Sequence, residues 1–117
     1  MTMESDLFTL LKTVCPRVFP DFAPTATVRP YVTFQGIGGQ PLRYLENTAA
    51  DKRQTRMQIN AWADTRAQSL SLCRLIEDSM CAATVFVATP EAEPVHDFDA
   101  DLPVYGSIQD FLIHATR

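Results

Sequence analysis

The chain has 117 residues, enough for one domain with its own hydrophobic core but too few for two independent cores. Hydrophobic residues make up 46% of the sequence and charged residues 21%, a composition that excludes wholesale disorder. We therefore expect a single domain over residues 1–117.

The formal net charge of −4 is unevenly distributed. Residues 1–74 carry nine Lys or Arg against six Asp or Glu, whereas residues 75–117 carry one against eight. A basic face and an acidic face on one small domain can meet head-to-tail between copies. The alternative is that the acidic residues only keep a loop solvated.

The three cysteines have no spacing typical of a disulfide framework or a zinc site. They fall on predicted helices among apolar residues, so we expect buried free thiols at Cys15, Cys73 and Cys81. The first residues are acidic, unlike a secretion signal, and no apolar run approaches the roughly 20 residues that span a bilayer. We expect a soluble protein made in a reducing cytoplasm, with no membrane partner.

The first predicted element is a helix from Ser5 to Cys15, which ends at Pro16. Its apolar residues recur on one face: Leu7, Leu10, Leu11 and Val14. The proline-containing stretch from Arg17 to Pro30 is predicted to be an extended connector, held to the core by Phe19 and Phe22. A strand over residues 31–35 then ends at the glycines of residues 36–39.

Two periodicities meet in residues 53–80, around which the fold is organised. Up to Ala63 apolar and polar residues alternate, which predicts a half-buried strand. A helix follows at once, because Thr65 and Gln68 have the spacing of a capping box and Asp64 is an alternative cap. Its predicted buried stripe is Ser69, Leu72, Cys73, Ile76 and Met80.

The remaining segments complete a two-layer arrangement. Residues 40–55 are predicted to form a long projecting loop, and residues 91–103 an acidic loop flanked by prolines. A third strand over residues 84–89, buried on both faces, and a fourth over residues 105–115 are also predicted. The fold class is therefore α+β, a two-layer sandwich with a four-stranded, mainly antiparallel sheet, two helices and the order α-β-β-α-β-β.

No pattern in the sequence predicts catalytic, cofactor-binding or metal-binding residues. The acidic run from His96 to Asp101 lacks the glycine and the distal glutamate of a calcium loop, so a solvated loop is the favoured interpretation. The glycines at 36–39 lack the Lys-Ser/Thr of a phosphate loop, and no Gly-x-Ser-x-Gly motif is present. Cys73 and Cys81 fall on the predicted core side of the helix, which disfavours an activated thiolate.

Two features suggest an interaction surface, each with a simpler alternative. Arg43, Lys52, Arg53 and Arg56 form a basic cluster, which is either a weak, salt-sensitive contact site for nucleic acid or a solvated strand edge. Trp62 lies on the face opposite Met57 and Ile59, so it either packs under another element of the chain or anchors an interface.

Three segments together resemble the small tail completion proteins of long-tailed phages and prophages, a group that includes tail-to-head joining proteins and is similar in fold to tail terminators. The segments are the strand at residues 30–34, the strand at residues 56–63 with the helix after it, and the strand at residues 109–113. Many members have a basic residue after the tyrosine that opens the last strand, whereas here Gly106 follows Tyr105. No interface role is therefore carried over to Gly106.

The resemblance implies a non-enzymatic virion structural protein without cofactors, located at the head-proximal end of the tail and, during assembly, in the cytoplasm of the bacterial host. Such a protein forms a ring, commonly a hexamer, and can remain a monomer in isolation. Its partners would be copies of itself, the tail tube protein and a head completion or connector protein, with DNA only passing through the lumen. The ring would end tail tube growth and join tail to head. The predicted interaction residues are Arg43, Tyr44, Lys52, Arg53, Arg56, Trp62, Glu91, Glu93, Asp97, Asp99 and Asp101. The basic residues of loop 40–55 would face neighbours or the lumen, and the acidic segment 91–101 would face the adjoining subunit.

Two other classes of function stay open at this point. One is a small cytoplasmic α+β enzyme or ligand-binding module that uses the acidic loop 91–101, which a cleft lined by His96 and Asp99 would favour. The other is an adaptor that binds one partner protein without forming a ring.

Overall fold

A computed structural model describes residues 3–24, 26–39, 52–101 and 103–116, and within them two helices pack on one face of a sheet. The class is α+β, as the alternation of strand and helix patterns predicts. The helices are α1 (Met3–Val14) and α2 (Arg66–Cys81). The strands are β1 (Val18–Pro20), β2 (Tyr31–Gly36), β3 (Lys52–Ala63), β4 (Val87–Pro90), β5 (Val95–Asp99) and β6 (Val104–Thr116).

The sheet has six strands in the described residues, not the four predicted, and it is mainly antiparallel with one parallel pair. Strands follow the order β1-β2-β3-β6-β4, with β5 also paired to β6. The first pair, β1 with β2, is parallel, and the other pairs are antiparallel. The two strands missing from the prediction are short: β1 lies in the expected connector and β5 in the expected acidic loop.

The two longest strands, β3 and β6, form the centre of the sheet. They pair antiparallel from Lys52 opposite Thr116 to Ala63 opposite Tyr105. Successive side chains of a strand point to opposite faces, so one face of each strand is covered by the helices. That face carries much of the core, namely Met57, Ile59, Ala61, Phe111 and Ile113.

Both helices bury the faces that their sequences predict. Leu7 and Leu11 of α1 are fully buried, and all five residues of the predicted α2 stripe are buried. The Thr65 hydroxyl accepts a hydrogen bond from the Gln68 backbone N–H at 3.2 Å, which confirms Thr65 as the N-cap. Cys81, expected in the core, is instead exposed, because it ends α2 one residue beyond the last buried position, Met80.

The edge formed by β4 and β5 differs from the prediction of a third strand buried on both faces. Phe86 is buried, but Val87 is 64% exposed and Val85 is also exposed. The physical reason is position: β4 pairs only with β6 and lies at the border of the sheet. The run of three apolar residues at positions 85–87 therefore contains only one buried side chain, that of Phe86, and does not form a strand covered on both faces.

A bulge separates the two halves of this edge. Pro90 pairs with Phe111 and Val95 pairs with Ile108, so residues 91–94 of the edge face only residues 109 and 110 of β6. Two extra residues are thus accommodated between β4 and β5.

The segment between β1 and β2 is attached to the rest of the chain by different contacts from those predicted. Phe19 is half-buried in β1, but Phe22 is 78% exposed and does not hold the connector to the core. The connector is instead attached through backbone carbonyl groups. Arg17 Nε donates to the Pro30 carbonyl at 2.9 Å, and the Cys15 thiol donates to the same oxygen at 3.6 Å.

Candidate interaction surfaces

Both described helices pack on one face of the sheet, and the opposite face carries neither of them. Strand pairing brings three rows of side chains together on it: Tyr31 with Trp62 and Gly106, Thr33 with Asn60 and Ile108, and Gln35 with Gln58 and Asp110. We call this surface the open face. Its mixture of aromatic, aliphatic and polar side chains is that of a surface able to contact another molecule.

Trp62 packs across the open face within its own chain. Its ring lies over Gly106, where an added Cβ would come within 2.6 Å of Trp62 Cζ3, and beside Tyr31 with ring centroids 6.4 Å apart. The indole N–H donates to the Thr33 hydroxyl at 3.2 Å. The departure at Gly106 from the family pattern thus has a local cause, since only glycine leaves room for Trp62. Trp62 remains half-buried, so an interface role for it stays a prediction.

One polar atom on the open face lacks a partner. Asn60 Nδ2 donates to the Thr33 hydroxyl at 3.1 Å, so Thr33 accepts from both Asn60 and Trp62. Asn60 Oδ1 is inaccessible and has no hydrogen-bond partner among the described residues. Unpaired buried acceptors are uncommon and reduce stability.

Arg56 and Glu91, both among the predicted interaction residues, pair with one another within the chain. Arg56 Nε donates to Glu91 Oε1 at 2.6 Å, and both side chains are substantially exposed. The hydrogen bond to Glu91 and the negative charge of Glu91 raise the pKa of Arg56. The pair connects β3 to the bulge across β6, because Arg56 lies opposite Leu112 and Glu91 follows β4.

The acidic residues of the edge do not converge on one point. Strand alternation places Asp97 and Asp99 on the open face, whereas His96 belongs to the helix-covered face. Glu93 lies in the bulge, and Asp101 follows β5 with its backbone N–H donating to Asp99 Oδ1 at 3.0 Å. Among the described residues, no group of three or more His, Cys, Asp or Glu could hold a metal ion.

The remaining predicted interaction residues lie at the start of β3 or before it in the sequence. Arg43 and Tyr44 fall outside the described residues, so their predicted roles rest on sequence alone. Lys52 and Arg53, predicted in loop 40–55, instead begin β3, where they pair with Thr116 and Ala115 of β6. The strand therefore starts earlier than the alternation of apolar residues indicates.

A buried polar cluster between α2 and β6 was not predicted. Gln109 Nε2 donates to Glu77 Oε1 at 2.6 Å and to the Ala92 carbonyl at 3.0 Å, so it connects the helix, the central strand and the bulge. The Cys73 thiol donates to Gln109 Oε1 at 3.6 Å, and burial raises the pKa of Cys73 to about 11. Ser69 and Ser107 hydroxyls lie 3.0 Å apart beside them. The sequence signal that could have predicted this cluster is the presence of two polar residues, Ser107 and Gln109, at core-facing positions of β6.

An apolar groove lies on the flank of α2 that faces residue Pro30. It has a volume of about 360 Å³, and its lining residues are Pro30, Ala67, Gln68, Ser71, Leu72 and Leu75. Leu75 is 55% exposed there, although it is a large aliphatic side chain. The groove contains neither His96 nor a cysteine, so it does not provide the polar cleft expected of the enzyme alternative.

These features define an α+β protein with exposed side chains on the edge of its sheet and on its helices. A family model described as Tail completion protein gp17 matches residues 4–111. The chain belongs to this family of phage tail completion proteins, as its resemblance predicts. No curated protein matches the chain. The family places it in the virion tail. Neither α1 nor α2, the two helices of the described residues, has the length and hydrophobicity that a membrane-spanning helix requires.

Proposed function

We propose that this protein forms a ring at the head-proximal end of a phage tail, where it ends growth of the tail tube and joins the tail to the head. The observation that carries the proposal is the family match over residues 4–111. The expected ring is a hexamer with DNA passing through its lumen. Its partners are copies of itself, the tail tube protein and a head completion or connector protein.

The distribution of charge supports assembly from unlike surfaces. Residues 91–101 carry five acidic side chains and no Lys or Arg, and all of them lie at the β4–β5 edge or in the bulge within it. Most basic residues lie in the first 74 residues. A ring closes when each copy presents two different complementary surfaces, and opposite charges on them favour the correct orientation.

The chemistry of the described surfaces favours a structural role over catalysis. The acidic side chains are spread along an edge, and burial raises the pKa of the Cys73 thiol, which disfavours the reactive thiolate. We propose that the protein is not an enzyme and acts through contacts with other virion proteins.

The proposal is tested by removing the gene from a phage that carries it and imaging the particles by electron microscopy. We expect filled heads without tails, together with free tails of uncontrolled length. Supplying the wild-type gene in trans provides the control and restores joined particles. Normal virions from the deletion would contradict the proposal, and tails of normal length without heads would remove the role in ending tube growth.

The predicted basic contact is tested separately with Arg53→Glu alone, because Arg56→Glu would also break the ion pair that Arg56 makes with Glu91 in its own chain. We expect weaker ring formation in sedimentation velocity, because the reversal places negative charge where acidic residues of a neighbour would bind. Unchanged assembly would exclude this contact while leaving the ring itself in place.

A further inference from the structure

We draw no further inference here: the strongest candidate, the apolar groove between α2 and Pro30 with the exposed Leu75 in its lining, carries none, because nothing in the described part of the chain shows what covers it.

Discussion

Trp62 lies directly over Gly106, with the carbon atoms of its six-membered ring in the space that any larger residue at position 106 would occupy. Tyr31 lies beside the same indole, so the three residues form one continuous row across β2, β3 and β6. The open face at this end of the sheet is thus ordered by contacts within the chain.

Gly106→Ala is expected to destabilise the protein by about 1–3 kcal/mol, because the added methyl group must displace Trp62 or the strand beneath it. Urea unfolding monitored by tryptophan fluorescence measures the change. Gly36→Ala is the control, since a Cβ there has no neighbour within 4 Å. If steric contact is the cause, Gly106→Ala should cost much less in a Trp62→Ala background. An equal cost in both backgrounds would exclude this explanation.

Gln109→Ala should cost about 1–3 kcal/mol, because Glu77 and the Ala92 carbonyl would lose a buried donor. Amide hydrogen exchange should quicken most in residues 91–94, which this side chain holds against β6. The exposed Gln35→Ala on β2 is the matched control and should change stability by no more than about 0.5 kcal/mol. Unaltered exchange in the bulge would mean that Gln109 does not hold it in place.

Stability should fall as pH rises from 9 to 11. Burial keeps the Cys73 thiol protonated in the folded chain to a pKa of about 11, whereas the same thiol loses its proton near pH 9.0 when unfolded. The folded state therefore binds more protons in this range, and linkage lowers its stability by up to about 2–3 kcal/mol. Urea unfolding at several pH values measures the slope.

Cys73→Ala should flatten this pH dependence, whereas Cys81→Ala, at an exposed thiol, should preserve it. Burial also raises the pKa of Tyr31, so this residue lowers the stability of the fold at higher pH as well. Both variants retain Tyr31, so the difference between their slopes reports on Cys73. Equal slopes in both variants would show that Cys73 is not the responsible group.

Arg56→Glu should lower the melting temperature by placing two carboxylates together at the bulge, and the charge-swapped Arg56→Glu/Glu91→Arg variant should recover most of the loss. The effect should shrink at high salt, because both side chains are exposed to solvent. Differential scanning calorimetry at two salt concentrations measures it. A loss that the swapped pair does not recover would assign the effect to the strand positions and not to the ion pair.

The sequence correctly predicted those helices and strands whose periodicity of apolar residues matches the face that they bury. The apolar spacing from Leu72 to Met80 and the alternation through Met57 and Ile59 describe residues that bury one regular face, and Thr65 caps α2 at the position its spacing predicts. Family resemblance predicted the protein class, which no local pattern could supply. Helix α2 and strand β3, by contrast, are specified by short-range periodicity in the sequence.

The sequence-based predictions were wrong where the position of a segment in the sheet, and not its amino-acid composition, determines its structure. The segment containing β5 is rich in Asp, which has low strand propensity, yet pairing with β6 makes it a strand. Phe22 is aromatic but lies where no element covers it. The role of Gln109 depends on Glu77, 32 residues away, and on a bulge that sequence alone did not indicate. The groove likewise requires the helix and connector to be placed together.

The bulge at residues 91–94 has a consequence for solubility before assembly. A long straight border strand offers a continuous ladder of unpaired amides on which other chains can polymerise in an uncontrolled manner. Here the ladder is divided into a four-residue and a five-residue piece by a kinked, charged interruption. Copies that are not yet assembled into the tail would thereby be protected from amyloid-like stacking of their edge strands.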